Sequence, residues 1–495
     1  MWFKAFVLVA LVGHISCQND DTPVILRSPE LLEQPSSEIM ITLRDSVRPI
    51  LRDLAAQVFP NRGAKLNAVA SALKAATALS QAPVIAALRP FKVEFEPFWV
   101  TNKIYIKNGN PALVKFLQTL SQIREIAAPR LPGLPPFNPI EGVPPNGTEW
   151  NVNIIHAPEV WEMGSDGAGV VVYGIDTGVR YTHSAIKNSW VGAENKGWFD
   201  PWYKQAKPSD LNGHGTHTVI HGNKVALRVY IEALISTVLG QTGTGVAPGA
   251  QWMACRACET AGCPEQHLIA CGQFCMCPTD PDGRNSDCTK APHIVTNSWG
   301  GGQNEDFYDD VISAWNTVGI IPIFAIGNDG PKCETSASPG DRDGVLSVGA
   351  TDKMDKIAKF SSRGPRKAGD GMIKPEIVAP GHKVNSAFHF SDNAYRVLSG
   401  TSMACPAVAG ATALLVAKNP NLTLEEAMKL FYDTADRDLP ASGTTCGNSP
   451  DSEYPNEVYG YGRINVARAY KMMTSQMSGG ANNEPTIRST NVTKS

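Results

Sequence analysis

Four polar side chains stand where a chain of alternating strands and helices concentrates its chemistry. Asp176 closes the apolar run Val170-Val171-Val172-Tyr173-Gly174-Ile175 and opens a turn at Thr177-Gly178. A carboxylate at the C-terminal end of a parallel strand lies where α/β sheets hold their ligands; a turn-capping Asp is the plainer alternative. His214, in His214-Gly215-Thr216-His217, follows the loop Ser209-Asp210-Leu211-Asn212-Gly213 and stands at a helix start. Ser402, in Gly400-Thr401-Ser402-Met403-Ala404-Cys405-Pro406, sits at another helix N-terminus. The helix dipole favours developing negative charge there, although Ser is also a common plain N-cap. Asn328, in Gly327-Asn328-Asp329-Gly330, lies just past a buried strand, so its amide either donates to an oxyanion or serves a turn beside Gly. Carboxylate, imidazole, hydroxyl and amide donor are the parts of nucleophilic acyl transfer, in which a base activates a weak nucleophile.

The elements that must position these groups are short, near-continuous apolar runs at 169–175, 294–298, 319–326 and 345–350, alternating with helical patterns. That texture predicts a mainly parallel sheet covered by helices on both faces. Before it, residues 18–128 form a small α+β unit: a strand at 37–43, an Ala-rich helix at 66–88, paired strands within 93–106 and a short helix at 111–120. A linker at 129–148 carries seven prolines between Pro129 and Pro145, an exposed, extended segment suited to a processing cut. Residues 149–473 make the larger α/β domain, and 474–495 a Ser/Asn/Thr-rich disordered tail.

Residues 1–17, with Lys4 ahead of an apolar run and the small Ser16 and Cys17 behind it, have the form of a secretory signal. The 495-residue chain has a formal charge of -3, which argues against nucleic acid or an anionic membrane as partner, and the protein is expected to be secreted and monomeric. Asn146, Asn421 and Asn491 begin N-x-Thr glycan acceptors. Ten cysteines remain after Cys17, and Cys258, Cys263, Cys271, Cys275, Cys277 and Cys288 crowd together with Cys255 just before them. An oxidising compartment makes them disulfide staples; the spacing of Cys255 and Cys258, with His267 nearby, offers zinc as the competing reading. Cys333 and Cys446, both outside the cluster, are paired with each other, Cys405 is left free, and the count leaves one more free thiol. No cofactor is required. Structural calcium has one candidate place, Asp280-Pro281-Asp282-Gly283 with Asp287, which is otherwise a turn.

Apolar-Asp-Thr-Gly also marks aspartic proteases, but those need two carboxylates sharing a proton, and the single triplet here would demand a homodimer. The whole set of motifs instead resembles the subtilisin-like serine protease family, in the chain order Asp, His, Ser. The resemblance covers residues 149–472. It is carried by Asp176-Thr177-Gly178, His214-Gly215-Thr216-His217, Gly245-Val246-Ala247-Pro248-Gly249-Ala250, Asn297-Ser298-Trp299-Gly300-Gly301-Gly302, Lys374-Pro375-Glu376-Ile377-Val378-Ala379-Pro380-Gly381 and Gly400-Thr401-Ser402-Met403-Ala404. The Cys-rich stretch 255–288 looks like the bacillopeptidase-F-like branch, and 18–128 is similar in plan to an inhibitory prodomain. The resemblance implies a zymogen whose Ser402 attacks a peptide carbonyl, with His214 as base, Asp176 orienting it and Asn328 at the oxyanion. It also implies peptide or protein substrates lying as an added strand along Ser298-Trp299-Gly300. Ala325, Ile326 and Gly327 would line the first specificity pocket, with Ile326 narrowing it around a large apolar side chain. Met403, beside the nucleophile, is the expected oxidation target.

One segment departs from that pattern. Residues 219–236 intervene after Thr218, where the family runs on into a Gly-rich turn, and 11 of these 18 residues are apolar. They lie inside the helix that should carry His214. A retained intron or gene-model error would make the chain an inactive version, a subtilase fold that only binds. A genuine insertion would bulge out as a hairpin after the first helical turn.

Overall fold

The computed structural model describes residues 22–134, 140–210, 212, 216 and 233–480. The N-terminal unit is a five-stranded sheet of β1 (Ile25–Leu26), β2 (Ser37–Leu43), β3 (Phe95–Phe98), β4 (Lys103–Gly109) and β5 (Ile123–Ala127), in the order β1-β5-β2-β4-β3. Helices α1 (Arg48–Ala55), α2 (Arg62–Leu88) and α3 (Pro111–Leu117) complete it. Asn61 and Asn110 start the last two by accepting the N–H of Ala64 and Leu113 on their side chains. Two elements, α1 and β5, lie where the sequence carried no strong period, and α3 stops three residues short of the expected 120.

The larger unit is built on seven parallel strands. They are β7 (Val171–Asp176), β8 (Trp198–Phe199), β9 (Gln251–Arg256), β10 (Ile294–Asn297), β11 (Ile321–Ala325), β12 (Leu346–Thr351) and β13 (Ile377–Pro380), after a short β6 (Ile140–Glu141) in the linker. Their order is β13-β12-β11-β10-β7-β9-β8, and every pairing is parallel. This is the mainly parallel sheet the apolar runs predicted. Burial on both faces explains why those runs do not alternate. Helices α4 (Ala233–Leu239), α5 (Glu265–Met276), α6 (Asp309–Thr317), α8 (Leu424–Thr434) and α9 (Val466–Gly480) accompany it. Between α6 and α8 runs α7 (Thr401–Lys418), buried over all but its last two residues. Ala, Gly, Cys and Thr fill α7, and side chains that small let it lie close against the sheet.

Ahead of α7 comes a hairpin of β14 (His382–Phe388) and β15 (Ala394–Ser399), and the linker's β6 adds to its edge, Ile140 opposite Val397 and Glu141 opposite Arg396. The N-terminal unit packs through Leu66, Val69, Leu73 and Phe98 into the same apolar cluster as Leu268, Phe274 and Trp315.

Two boundaries need correction, and the cysteines pair as staples. Helix α9 continues through Gly480, past the proposed start of a disordered tail at 474; residues 481–495 lie outside the described residues. The cysteine cluster is paired as Cys255–Cys271, Cys258–Cys263 and Cys277–Cys288, which removes the zinc alternative, and Cys333–Cys446 forms as expected. The free thiols among the described residues are Cys405 and Cys275, both buried. The last four residues assigned to the 219–236 intrusion belong to α4, where Ser236 is buried. The remainder of that segment lies outside the described residues, as does the signal-like 1–17.

Candidate active site

Asp176 ends β7, an interior strand of the sheet, with Ile175 opposite Asn297 of β10 and Asp176 itself opposite Arg256 of β9. Its side chain is buried and accepts the N–H of Thr177 over 2.6 Å, while its carbonyl takes the N–H groups of Ala257 and Cys258. Burial pushes the carboxyl well above the usual carboxylate range. The N–H of Thr177 opposes that shift and the charge of Asp210 adds to it.

His214 lies outside the described residues, but both sides of its loop are fixed. The N–H groups of Asn212 and Thr216 donate to the two oxygens of Asp210, at 3.1 and 2.7 Å. The Thr177 hydroxyl donates to the same carboxylate at 3.2 Å. Asp210 therefore fastens Asn212 and Thr216 beside the turn that follows Asp176. Beneath this junction lies Arg256, fully buried, its Nη1 3.2 Å from Asp200 and its Nε donating to the Thr177 carbonyl. Its Nη2 donates to the carbonyl of Ser209, and Trp198 and Tyr203 cover its faces. Neither Asp210 nor Arg256 stood out in the sequence, since one sits in an ordinary loop and the other at the end of an apolar strand.

Ser402 is the second residue of α7, so its N–H is one of the four that a helix leaves without an internal acceptor. Its hydroxyl lies 3.4 Å from the Ser298 carbonyl, and the Ser298 hydroxyl donates back to the Ser402 carbonyl at 3.2 Å. These two contacts join the end of β10 to the start of α7. Asn328, just past β11, accepts the N–H and hydroxyl of Thr401 on Oδ1 at 2.9 and 3.1 Å. Met403 is fully buried against Val384 and Leu398.

A cleft of about 270 Å³ opens between these elements, lined by Ser298, Trp299, Gly300, Ala325, Gly327, Asn328 and Thr401. Five of the six residues expected to bind substrate thus share one cavity. Ile326 is not among them. It is fully buried, its carbonyl taking the N–H of Ala337, so it faces away from the space it was expected to narrow. Ala337 lines the cleft in its place.

The cleft also holds part of the chain itself. Gly133 and Leu134, from the Pro-rich linker, line it, and Gly133 bridges Gly300 in antiparallel fashion. On the other side the carbonyls of Pro132 and Arg130 accept the N–H groups of Cys263 and Glu265. Residues 130–134 therefore lie as an added strand between two edges, with Leu134 buried in the cavity. The candidate calcium turn is internally engaged: Asp280 pairs with Lys196 at 2.6 Å, Asp282 with Arg284, and Asp287 takes the hydroxyl of Thr289.

Comparison with known proteins agrees with this geometry. The model of the subtilase family matches residues 167–462, more than half of the chain. Bacillopeptidase F of Bacillus subtilis is 36% identical over 348 residues, covering 66% of this chain but only 22% of its own length. Serine protease AprX of the same organism is 32% identical, covering 63% of this chain and 69% of its own. Subtilisin DY of Bacillus licheniformis is 29% identical over 65% of this chain and 97% of its own length. A parallel sheet bearing Asp176 at a strand end, a buried helix opening at Ser402 and a family match spanning both place this chain in the subtilase family, the subtilisin-like serine proteases.

Proposed function

We propose that the protein is a secreted serine endopeptidase made as a zymogen. The observation that carries this reading is the linker strand 130–134, a peptide of the chain's own sequence held by backbone hydrogen bonds in the cleft lined by Ser298, Asn328 and Thr401, the residue before Ser402. In the reaction, Ser402 attacks the carbonyl of a peptide bound as that strand is, and His214 takes the hydroxyl proton. Asp176 holds the imidazole and stabilises its charged form. The Ser402 N–H and the Asn328 amide receive the oxyanion. His214 then protonates the leaving amine, and water releases the acyl group from Ser402. The protein chain supplies every group these steps use.

Residues 18–128 act as the prodomain. They share an apolar cluster with the catalytic unit and lead directly into the strand that fills the cleft. Secretion is supported by the signal-like 1–17, by the disulfides, and by the exposure of Asn146 and Asn421, two of the three glycan acceptors. Leu134 in the cavity supports a preference for an apolar side chain at the residue before the cut.

Labelling of the secreted protein with a fluorophosphonate tests the mechanism. Ser402 is expected to be modified, and Ser402→Ala and Asp176→Asn to lose labelling. Folded protein that stays unlabelled after the linker is cut would overturn the reading.

A further inference from the structure

Arg130 precedes Leu134 by four residues on the strand that fills the cleft. Its backbone is read on both sides by one residue: its N–H donates to Glu265 Oε2 at 3.0 Å and its carbonyl accepts the Glu265 N–H at 3.0 Å. Its guanidinium enters an acidic recess. Nε lies 2.8 Å from Glu305, Nη2 3.8 Å from Asp306 and Nη1 3.8 Å from Glu265, while the Phe307 ring lies beneath at 5.6 Å. Glu265 is almost wholly buried, and its other oxygen meets Lys103 Nζ of the N-terminal unit at 2.7 Å. The neighbouring Asp309 is already held by Arg342 of the catalytic unit. Two cations, Lys103 and Arg130, pair directly with the recess carboxylates, and both precede the stretch 135–139; the charges of Arg27 and of Arg342, the latter on the catalytic unit, act on Asp306 from farther away.

From these contacts we propose that the recess of Glu265, Glu305, Asp306 and Phe307 is a specificity subsite of the processed enzyme. It takes an arginine or lysine four residues before the apolar side chain that occupies the cleft. The proposal rests on the endopeptidase reading above. Departure of the N-terminal unit and the linker strand removes both cations and leaves three carboxylates beside an aromatic face. Spacing selects the position. The pairs of Pro132 with Cys263 and of Arg130 with Glu265 set an extended register. Four residues of strand span about 13 Å, so any peptide bound in that register carries its fourth upstream side chain to the recess. A guanidinium gains one charge-assisted hydrogen bond, two longer ion pairs and a ring to stack on; a carboxylate there meets three like charges.

The test uses the secreted, processed protein and internally quenched peptides X-Leu-Pro-Gly-Leu-Ser-Ala, with X as Arg, Lys, Ala or Glu. The Arg peptide is expected to exceed the Ala peptide about tenfold in kcat/KM, chiefly through KM, with Lys between them and Glu lowest. The advantage should shrink as salt is raised. Glu305→Gln with Asp306→Asn, both with exposed side-chain surface, should bring the Arg-to-Ala ratio close to one, the change falling on the KM of the Arg peptide. Cleavage of the Arg and Ala peptides at equal rates by the unmutated enzyme would overturn the subsite and leave the endopeptidase reading standing. Failure to cut any of these peptides or denatured casein would overturn both.

Discussion

Oδ1 of Asn328 takes two hydrogen bonds from one residue, the N–H and the hydroxyl of Thr401. The amide is thereby fixed with its NH₂ end toward Gly400, two residues before Ser402: a Cβ added to Gly400 would lie 3.6 Å from Nδ2. Asn328→Ala is expected to lower kcat about 10²–10³-fold with KM nearly unchanged, as for loss of one oxyanion donor. Steady-state kinetics on a peptide substrate check this, and a change confined to KM would assign Asn328 to substrate binding instead.

Arg256 and Asp200 form an ion pair with neither side chain exposed, and the same guanidinium holds the carbonyls of Thr177 and Ser209. Removing one partner leaves the other charge buried. Arg256→Leu is expected to cost about 3–5 kcal/mol of stability, and to lower activity even below its melting temperature, because the loop before position 214 loses its anchor. Thermal melts and rates measured on the same preparations decide the point. A variant with native stability and native rate would show the pair to be dispensable.

Helix α4 changes where the unusual segment ends. Ser236 is buried, its hydroxyl lies 2.9 Å from that of Thr244, and it accepts the N–H of Ala387. Deleting 219–234 joins Thr218 to Ile235 and keeps this small residue, which a deletion of 219–236 removes. The shorter deletion is expected to be more stable than the longer by about 1 kcal/mol and to label more fully with a fluorophosphonate. Equal melting and labelling of the two would restore the original boundary.

Two histidines make the fold sensitive to acid. Burial, aided by Lys204 for His267 and by Arg62 for His293, lowers each to about 4 from the ordinary 6.5. Between those values the unfolded chain binds more protons than the native one, so stability falls as pH drops from 6.5 and levels off below 4. Each histidine contributes roughly 3 kcal/mol to that loss. Denaturant midpoints across this range should show it, and His267→Asn should flatten the slope. An unchanged slope would place the acid response elsewhere.

What the sequence disclosed follows from physical locality. Asp176, Ser402 and Asn328 each sit at the end of a regular element, where an apolar run stops at a turn glycine, and that signal survives in a single sequence. Arg256 gives no such signal, because its role depends on Asp200 and Ser209, more than forty residues away in the chain. Ile326 lies between two cavity residues, Ala325 and Gly327, and spacing alone does not say that its own side chain is buried away from the cavity. The linker has no strand period at all: its prolines block self-pairing, and its strands form only because Cys263, Glu265, Gly300 and the edge of β15 offer partners. A pattern that the receptor supplies is invisible in the ligand.

That linker is held on both sides of the five residues between Leu134 and Ile140, at Gly300 and at the β15 edge. A tethered strand faces its site at an effective concentration on the order of millimolar, whatever the bulk concentration of protein. On the zymogen reading proposed above, an incoming peptide must outcompete it, and loosening either attachment alone leaves the other to bring the strand back. Cutting the chain between them changes the molecularity of the contest. The strand then escapes into the surrounding volume, and the competition weakens with every dilution. On that reading, activity begins when a local concentration becomes an ordinary one.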